Sequence, residues 1–343
     1  MHIGIVTDQF PSNKAPDRGT FVLDLVNQLR SAKVDVTVIS HRTNFAAMAL
    51  ESFIRSARVD LFDAQFIAPA GVVVTFTPRF APFVVTVHRW DILEFPYRWP
   101  MARVATSIAL RSARGVIAVG RSISEDVMKF SPRSKVAIIP NAVDTRRFRP
   151  DVGFTPLKQQ LGISESHRVV LSVGHLVPRK GFQFLIGAMS LVFRQIPDCS
   201  LVIVGDGPLR DSLVSIARKF HLGERFKLVG AVPASLLPVF YAMSDVFVMP
   251  SSSEGHCVSI LEAMATGKPI VASDIPANAE SIEENGLLVR PSDSRALARA
   301  IITILNDGTL REGFGRQSRN KAVKEFSWDV RVRRLKEFYE KNL

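Results

Sequence analysis

Short apolar runs alternate with longer amphipathic segments along most of the chain. The runs Ile3–Thr7, Phe83–Val87 and Arg168–Val173 have the length and composition of buried strands. The segment Phe21–Arg30 instead repeats its apolar residues every three or four positions, as a helix with one buried face does. Strands that alternate with helices in this way predict an α/β protein built on parallel sheets.

This alternation begins twice. The stretch Pro150–Pro156, which contains prolines and a glycine, separates the two series, and 343 residues exceed the size of a usual single core. We therefore predict two α/β domains and a final amphipathic helix, at residues 1–150, 151–325 and 326–343. Two helix starts are also predicted, a capping box at Ser122 and Glu125 and an N-cap at Asp293.

Glycines and charged residues gather directly after the predicted strands. Parallel strands end at one edge of their sheet, and ligands of open α/β sheets bind there. Arg179 and Lys180 lie between a strand and a helix, so they could neutralise a diphosphate; a solvated basic turn is the alternative. In the first series Arg18 and Gly19 would place a cation and a bare backbone near a phosphate, unless they belong to an ordinary surface loop.

Two carboxylates, Glu254 and Glu262, stand eight residues apart in the second series. Glu254 lies in a Ser/Gly loop, whereas Glu262 lies in a short helix predicted at Val258–Ala265. The backbone N–H groups of the helix N-terminus fall between them and favour an anion. Two polar groups that flank an anion site suit a nucleotide diphosphate-sugar; the alternative is an N-cap carboxylate plus a solvated helix glutamate.

His88 and Asp91 follow the predicted strand Phe83–Val87, at a position where α/β enzymes carry chemistry. We expect a functional role for His88, with a histidine that merely caps its own strand as the alternative. The sequence does not exclude Asp91 as a carboxylate nucleophile.

The net charge of +12 lies mostly in residues 1–150. A basic surface can meet phosphates on nucleic acid, anionic lipid or a phosphorylated substrate, or it can serve solubility alone. No compact basic block with interleaved aromatics occurs, so nucleic acid is not an expected partner.

Two cysteines exclude a disulfide framework and suit a reducing compartment. Without a signal peptide or an apolar run of about 18 residues, we expect a cytoplasmic protein with at most peripheral contact to the inner face of an anionic membrane.

Several motifs occur together in a fixed order. The second series contains GHLVPRKG at Gly174–Gly181, VGDGPL at Val204–Leu209, VGAVP at Val229–Pro233, DVFVMP at Asp245–Pro250 and the E-x7-E spacing within Glu254–Ser273. The first series contains the opening Asp8–Val22, VTVH ending at His88 and IPNAVD at Ile139–Asp144. Together they resemble the retaining glycosyltransferases of family 4, over nearly the whole chain and most specifically in its second half.

The resemblance implies the GT-B fold, with two facing Rossmann-like doubly wound domains and a C-terminal helix that crosses back onto the N-terminal domain. It implies an acceptor-binding domain at residues 1–150 and a donor-binding domain at 151–325. The implied reaction moves a sugar from a nucleotide diphosphate-sugar to a glycan or lipid-linked acceptor, in cell-surface polysaccharide or glycolipid synthesis. We expect no cofactor beyond this donor and no metal, since no DxD-like acidic pair stands at a strand end.

Residue by residue, the resemblance implies catalytic roles for His88 near the reacting sugar, Glu254 on the donor sugar and Lys180 on the diphosphate. Glu262 would hold the ribose, and Gly19 would approach the diphosphate from the first domain. The other implied donor-binding residues are Arg179, Gly205, Val229, Gly255, His256, Cys257 and Val258.

The chain departs from the family pattern at three positions. Many relatives have Arg where His175 stands, an aromatic residue where His256 stands, and His where Gln65 stands. The first domain is also shorter than usual. His175 and His256 keep a catalytically silent nucleotide-sugar-binding module open as an alternative, and a nucleotide-sugar epimerase on the same fold is a further alternative. Retention would come from front-face attack, with the leaving phosphate taking the acceptor proton.

Overall fold

The computed structural model describes residues 1–11, 19–41, 43–78 and 80–343. These form two compact units, one of Met1–Asn141 with Trp328–Leu343 and one of Ala142–Ser327. The division falls before Pro150 because the Val143 N–H donates to the Phe326 carbonyl at 2.9 Å, which ties this segment to the second unit.

The first unit is built on a parallel sheet of six strands in the order β2-β1-β3-β4-β5-β6. The strands are β1 (His2–Thr7), β2 (Asp35–Ser40), β3 (Leu61–Gln65), β4 (Phe83–Val87), β5 (Gly115–Ala118) and β6 (Val136–Ile138). The helices between them are α1 (Thr20–Ser31), α2 (Phe45–Arg55), α3 (Val72–Phe76), α4 (Trp90–Leu93), α5 (Pro100–Ser112) and α6 (Arg121–Phe130). The strand order reverses between β1 and β3, and sheets of this kind bind their ligands at such a switch point.

The second unit has its own six-stranded parallel sheet, in the order β12-β11-β10-β7-β8-β9. The strands are β7 (Arg168–Val173), β8 (Cys199–Val204), β9 (Phe226–Gly230), β10 (Val246–Met249), β11 (Ile270–Ser273) and β12 (Gly286–Val289). The helices are α7 (Thr155–Gln160), α8 (Phe182–Gln195), α9 (Arg210–Lys219), α10 (Leu237–Met243), α11 (Val258–Ala265), α12 (Pro276–Ala279), α13 (Ser294–Asn306) and α14 (Gly308–Glu325). This is the doubly wound order of dinucleotide-binding folds, with its switch point between β7 and β10.

The last helix, α15 (Trp328–Glu340), belongs to the first unit. Its Leu335, Phe338 and Tyr339 side chains are buried. A Cβ on Gly115 at the start of β5 would lie 2.7 Å from the Phe338 ring, so the helix packs directly on the sheet backbone. The final helix predicted from the sequence is therefore confirmed as part of the N-terminal unit.

Sequence and structure agree on the doubly wound α/β arrangement, and the predicted N-cap at Asp293 is confirmed. The Asp293 carboxylate accepts from the N–H groups of Arg295 and Ala296 at 2.9 Å. The predicted capping box at Ser122 and Glu125 is wrong. Helix α6 begins two residues earlier than that box requires, after Gly120, whose carbonyl accepts the Ser124 N–H at 3.0 Å.

Candidate functional site

The loops after β7 and β10 meet at the switch point of the second sheet. The loop after β7 ends in a turn at Pro178–Lys180, and Gly181 then starts α8. Gly181 has a φ of 68°, and a Cβ on it would lie 2.2 Å from the Pro250 carbonyl oxygen in the loop after β10. The Ser252 N–H donates to the Arg179 carbonyl at 2.8 Å. This close approach, which only glycine allows, sets the basic turn against the loop that carries Glu254.

Lys180 and Glu254 form a buried ion pair between these two loops. The Lys180 Nζ lies 2.7 Å from the Glu254 Oε1, and the Arg179 guanidinium lies 3.1 Å from Oε2. Burial alone would raise the pKa of Glu254, but the Lys180 and Arg179 charges outweigh it and hold that pKa below its usual value. Burial lowers the pKa of Lys180, but Cys257 and the Glu254 carboxylate together bring it above its usual value. Both groups are therefore charged at neutral pH.

The loops after β8 and β9 join the same edge. Gly205, directly after β8, has a φ of 140°, and a Cβ on it would lie 2.0 Å from the Gly174 carbonyl oxygen. Its N–H donates to the carbonyl of Gly230, next to Val229 at the end of β9, at 2.8 Å. The His175 Nδ1 lies 2.5 Å from the Asp206 carbonyl oxygen. The backbone thus brings the predicted residues Arg179, Lys180, Gly205, Val229 and Glu254 to one end of one sheet.

Glu262 lies on α11 and is held by a tyrosine that the sequence analysis missed. The Tyr241 hydroxyl on α10 donates to the Glu262 Oε2 at 2.6 Å. Burial, and then the Glu262 charge, raise the pKa of Tyr241 well above its usual value, so its phenol stays a donor. The half-buried carboxylate is thereby fixed in orientation. The one available sequence signal was a tyrosine in an apolar helix, because a buried hydroxyl requires a partner.

The segment Gly255–Cys257 leads into α11, which starts at Val258. The His256 side chain is buried; its Nε2 lies 3.3 Å from the Ser281 Oγ, and its ring lies 5.3 Å from the Phe326 ring. Burial raises the pKa of the Cys257 thiol, whose Sγ lies 3.2 Å from the Ser259 Oγ. Both side chains therefore pack within the second unit, and a donor-sugar contact of His256 stays a prediction.

In the first unit, Gly19 immediately precedes α1 with a φ of 69°. A Cβ on it would lie 2.3 Å from the Gln9 carbonyl oxygen after β1, so only glycine fits. The bare backbone expected at this strand-end loop is present. The cation expected at Arg18 lies outside the described residues.

Asp91 is fully buried and accepts hydrogen bonds from the backbone. Its Oδ1 accepts the His88 N–H at 3.1 Å, and its Oδ2 accepts the Ile67 N–H at 3.0 Å. Burial raises the pKa of Asp91 to about 7, although these hydrogen bonds lower that pKa. The carboxylate therefore connects the segments that follow β3 and β4. This is a structural role, whereas the sequence alone had not excluded a nucleophilic one.

The His88 ring lies 4.4 Å from the Phe66 ring and 5.3 Å from the Phe21 ring, measured between centroids. Burial, and then the charge of Arg331, lower the pKa of His88 to about 3, so the ring is neutral. Its Nε2 lies 3.3 Å from the Gln65 Oε1, while the Gln65 amide nitrogen donates to Asp63 at 2.8 Å. With the Gln65 oxygen facing the ring, the hydrogen sits on Nε2 and the His88 Nδ1 is an acceptor.

Asp63 is the centre of a buried network that the sequence analysis missed. It accepts from Gln65, from the Thr86 hydroxyl at 2.7 Å and from the Tyr339 hydroxyl at 2.6 Å. Burial raises the pKa of Asp63, and these hydrogen bonds and the charge of Arg331 oppose that rise. Arg331, on the same helix as Tyr339, also donates to the Pro140 carbonyl. Helix α15 is thus connected to His88 through Asp63 and Gln65.

Within the described parts of the chain, no three His, Cys, Asp or Glu side chains come together as metal ligands would. In the same residues, no helix combines the length and the apolar character that crossing a bilayer requires.

Two family models match the chain, and together they span most of it. Residues 154–321 match "Glycosyl transferases group 1", and residues 43–147 match "Glycosyltransferase Family 4". The first match contains every predicted site residue of the second unit, and the second contains His88.

Curated relatives are about 30% identical to the chain over the residues that align. A Mycobacterium tuberculosis GDP-mannose-dependent α-(1-6)-phosphatidylinositol monomannoside mannosyltransferase is 30% identical over 254 residues, which are 70% of this chain and 66% of the relative. An Escherichia coli UDP-Gal:α-D-GlcNAc-diphosphoundecaprenol α-1,3-galactosyltransferase is 33% identical over 211 residues, 60% of this chain and 54% of the relative. The chain thus covers less than two thirds of either relative.

Solved structures share the fold over its full length. Anabaena HepE in complex with UDP aligns with a TM-score of 0.83 and 22% identity, covering 99% of this chain and 100% of HepE. Sucrose-phosphate synthase from Thermosynechococcus elongatus aligns with a TM-score of 0.82 and 23% identity, covering 99% and 98%. The predicted GT-B fold is confirmed by these neighbours, and the two family models confirm the predicted resemblance to the family 4 glycosyltransferases.

Proposed function

We propose that the protein transfers a sugar from a nucleotide diphosphate-sugar to a glycan or lipid-linked acceptor, in the synthesis of a cell-surface polysaccharide or glycolipid. The observation that carries this proposal is the buried Lys180–Glu254 ion pair, with Arg179 beside it, at the switch point of the second sheet. It combines cations for a diphosphate with an ionised acceptor for a sugar hydroxyl.

Each charged group then has one task. Lys180 and Arg179 neutralise the diphosphate, and Glu254 accepts a hydrogen bond from the donor sugar. Glu262, oriented by Tyr241, accepts from the ribose diol. The backbone of Gly255–Cys257 offers N–H groups at the N-terminus of α11, where an anion is favoured. Gly205 and Val229, on neighbouring strand ends, border the same crevice.

Two observations support a lipid-linked acceptor. The names of the mycobacterial and E. coli relatives state a phosphatidylinositol mannoside and a diphosphoundecaprenol acceptor. The first unit also carries most of the chain's net positive charge, which suits an acceptor presented at an anionic membrane.

The reaction proceeds with retention and without a metal in this proposal. Departure of the diphosphate builds negative charge that Lys180 and Arg179 stabilise. Asp91 is occupied by two backbone N–H groups, which supports front-face attack over a carboxylate nucleophile. NMR of the product should show the same anomeric configuration as the donor. An inverted product would exclude this mechanism.

A thermal-unfolding panel of UDP-, GDP-, ADP- and TDP-sugars tests the proposed function directly. A ligand that binds the folded state alone stabilises it by about 2.7 kcal/mol at a hundred times its Kd. We expect one base and sugar to raise the unfolding temperature most, and Glu262→Ala to reduce that shift. If no nucleotide sugar shifts unfolding, the assignment of a donor site to the second unit is wrong.

A further inference from the structure

We infer that an exposed apolar and basic surface of the first unit docks the protein on an anionic lipid surface. We call it the docking face: the outward sides of α2, α3 and α5 with the turn 95–99. The inference rests on the proposed function only in what it implies about the acceptor, which would then lie in the same membrane.

An ordinary surface helix turns its large apolar side chains toward the core. Helix α2 instead turns several of its large apolar side chains toward solvent. Its buried positions include Met48 and the small polar Ser52. Its outward positions include Leu50, Phe53 and Ile54, with 60%, 43% and 59% of their surface exposed. Among the described residues of this unit, the helix therefore leaves its larger apolar surface without a partner.

Helix α5 repeats the arrangement. Its buried side includes the small residues Ala102 and Ala109. Met101, Val104 and Ile108 are exposed and follow one another at helical spacing. The buried side also contains Leu110, but the other three large apolar side chains of the helix point outward.

These two apolar sides belong to neighbouring helices. Helix α3 contacts both α2 and α5, and Phe76 at its end is 65% exposed. The turn before α5 adds exposed Tyr97 and Trp99, the residue types that concentrate where a bilayer meets water. Soluble monomers seldom expose apolar surface that extends over several neighbouring elements, and such a surface marks an interaction site.

The charges on the docking face indicate that it binds an anionic lipid surface. Residues 45–58, 72–76 and 95–112 contain five arginines, at positions 55, 58, 98, 103 and 111, and one acidic residue, Glu51. Glu51 is already paired, with His41 at 2.7 Å and Arg55 at 3.7 Å. A second copy of the chain would oppose these arginines with its own, which repels. An interface of anionic headgroups over acyl chains complements both the arginines and the apolar side chains.

Flotation with phosphatidylcholine vesicles, with and without phosphatidylglycerol, tests the inference on the full chain. We expect binding to the anionic vesicles that weakens as salt is added. Leu50→Ser/Phe53→Ser should reduce binding at least about tenfold, because two large apolar contacts are removed. Arg58→Gln and Arg111→Gln should each reduce it about fivefold, on anionic vesicles alone. The matched control Phe220→Ser/Leu236→Ser removes exposed apolar residues of the second unit and should bind like the native protein.

Three outcomes would overturn the inference. The native protein could bind neither kind of vesicle, or the control pair could lose binding as much as the docking-face pair. Analytical ultracentrifugation could instead show a dimer that Leu50→Ser/Phe53→Ser dissociates, which would assign the face to a second copy. A nucleotide-sugar thermal shift measured on the same variants separates the two proposals, because the docking face and the donor site lie in different units.

Discussion

A Lys180→Met variant is expected to transfer sugar at least about a hundredfold more slowly than the native protein at saturating donor. Removing one preorganised charge or donor from a developing anion costs about two to three orders of magnitude in kcat. Methionine keeps most of the side-chain volume, so the change isolates the charge. Initial rates of nucleotide diphosphate release in the presence of acceptor measure the effect.

Lys180 also compensates the buried charge of Glu254, so its loss has a structural cost as well. Without Lys180, burial again raises the pKa of Glu254 and the carboxylate keeps Arg179 as its remaining partner. The double variant Lys180→Met/Glu254→Gln also removes the buried carboxylate that has lost its lysine partner, and it should therefore recover thermal stability. Because Glu254 also contacts the donor in this proposal, the double variant should stay slow although its stability returns, which separates the slower rate from the loss of stability.

Lys227→Met supplies a matched control. Lys227 is a largely covered lysine on β9 of the same sheet, at 20% side-chain exposure, but its partner is the exposed Glu224 just before that strand. Its replacement should change the rate less than about threefold, because exposed pairs contribute little. Native-like turnover by Lys180→Met would contradict the assigned role, whatever the stability of the variant.

The loops that form the proposed donor site could be predicted from the sequence because each is a local feature of the chain. A strand, a glycine and a basic turn are recognisable at Arg168–Gly181, and parallel topology places such loops at one edge. The positive φ of Gly181 and Gly205 is the backbone counterpart of that pattern. What orients the side chains is not local, and Tyr241, which fixes Glu262, stands 21 residues before it on another helix.

Strand β3 was missed for the same physical reason. Its sequence, LFDAQ, places Asp63 and Gln65 in the centre of a sheet, where an unpaired polar group is too costly for a strand to be expected. The compensating group, Tyr339, comes from a helix 276 residues further along the chain. Without that partner no periodicity distinguishes this buried strand from a loop.

Asp63→Ala is therefore expected to be the most destabilising single change in the first unit, by about 3–5 kcal/mol in the free energy of unfolding. It leaves the Tyr339 and Thr86 hydroxyls and the Gln65 amide without their acceptor, and Arg331 without its neighbouring charge. Urea unfolding measures the loss. The matched control is Asp60→Ala, just before the same strand, where the exposed carboxylate accepts the His2 N–H at 2.7 Å and should contribute less than about 1 kcal/mol.

A double-mutant cycle with Tyr339→Phe then separates the anchoring of α15 from general damage to the sheet. Tyr339→Phe alone should cost about 1–3 kcal/mol, since it removes one buried hydrogen bond to a carboxylate. If the hydroxyl and the carboxylate act through each other, the two changes together cost less than their sum, by about 0.5–3 kcal/mol. Amide exchange in Trp328–Glu340 should rise in both single variants, because the helix loses its buried anchor. Additive costs, or unchanged exchange in that helix, would mean that apolar contacts such as Phe338 on Gly115 hold α15, and the connection from α15 to His88 would carry no coupling.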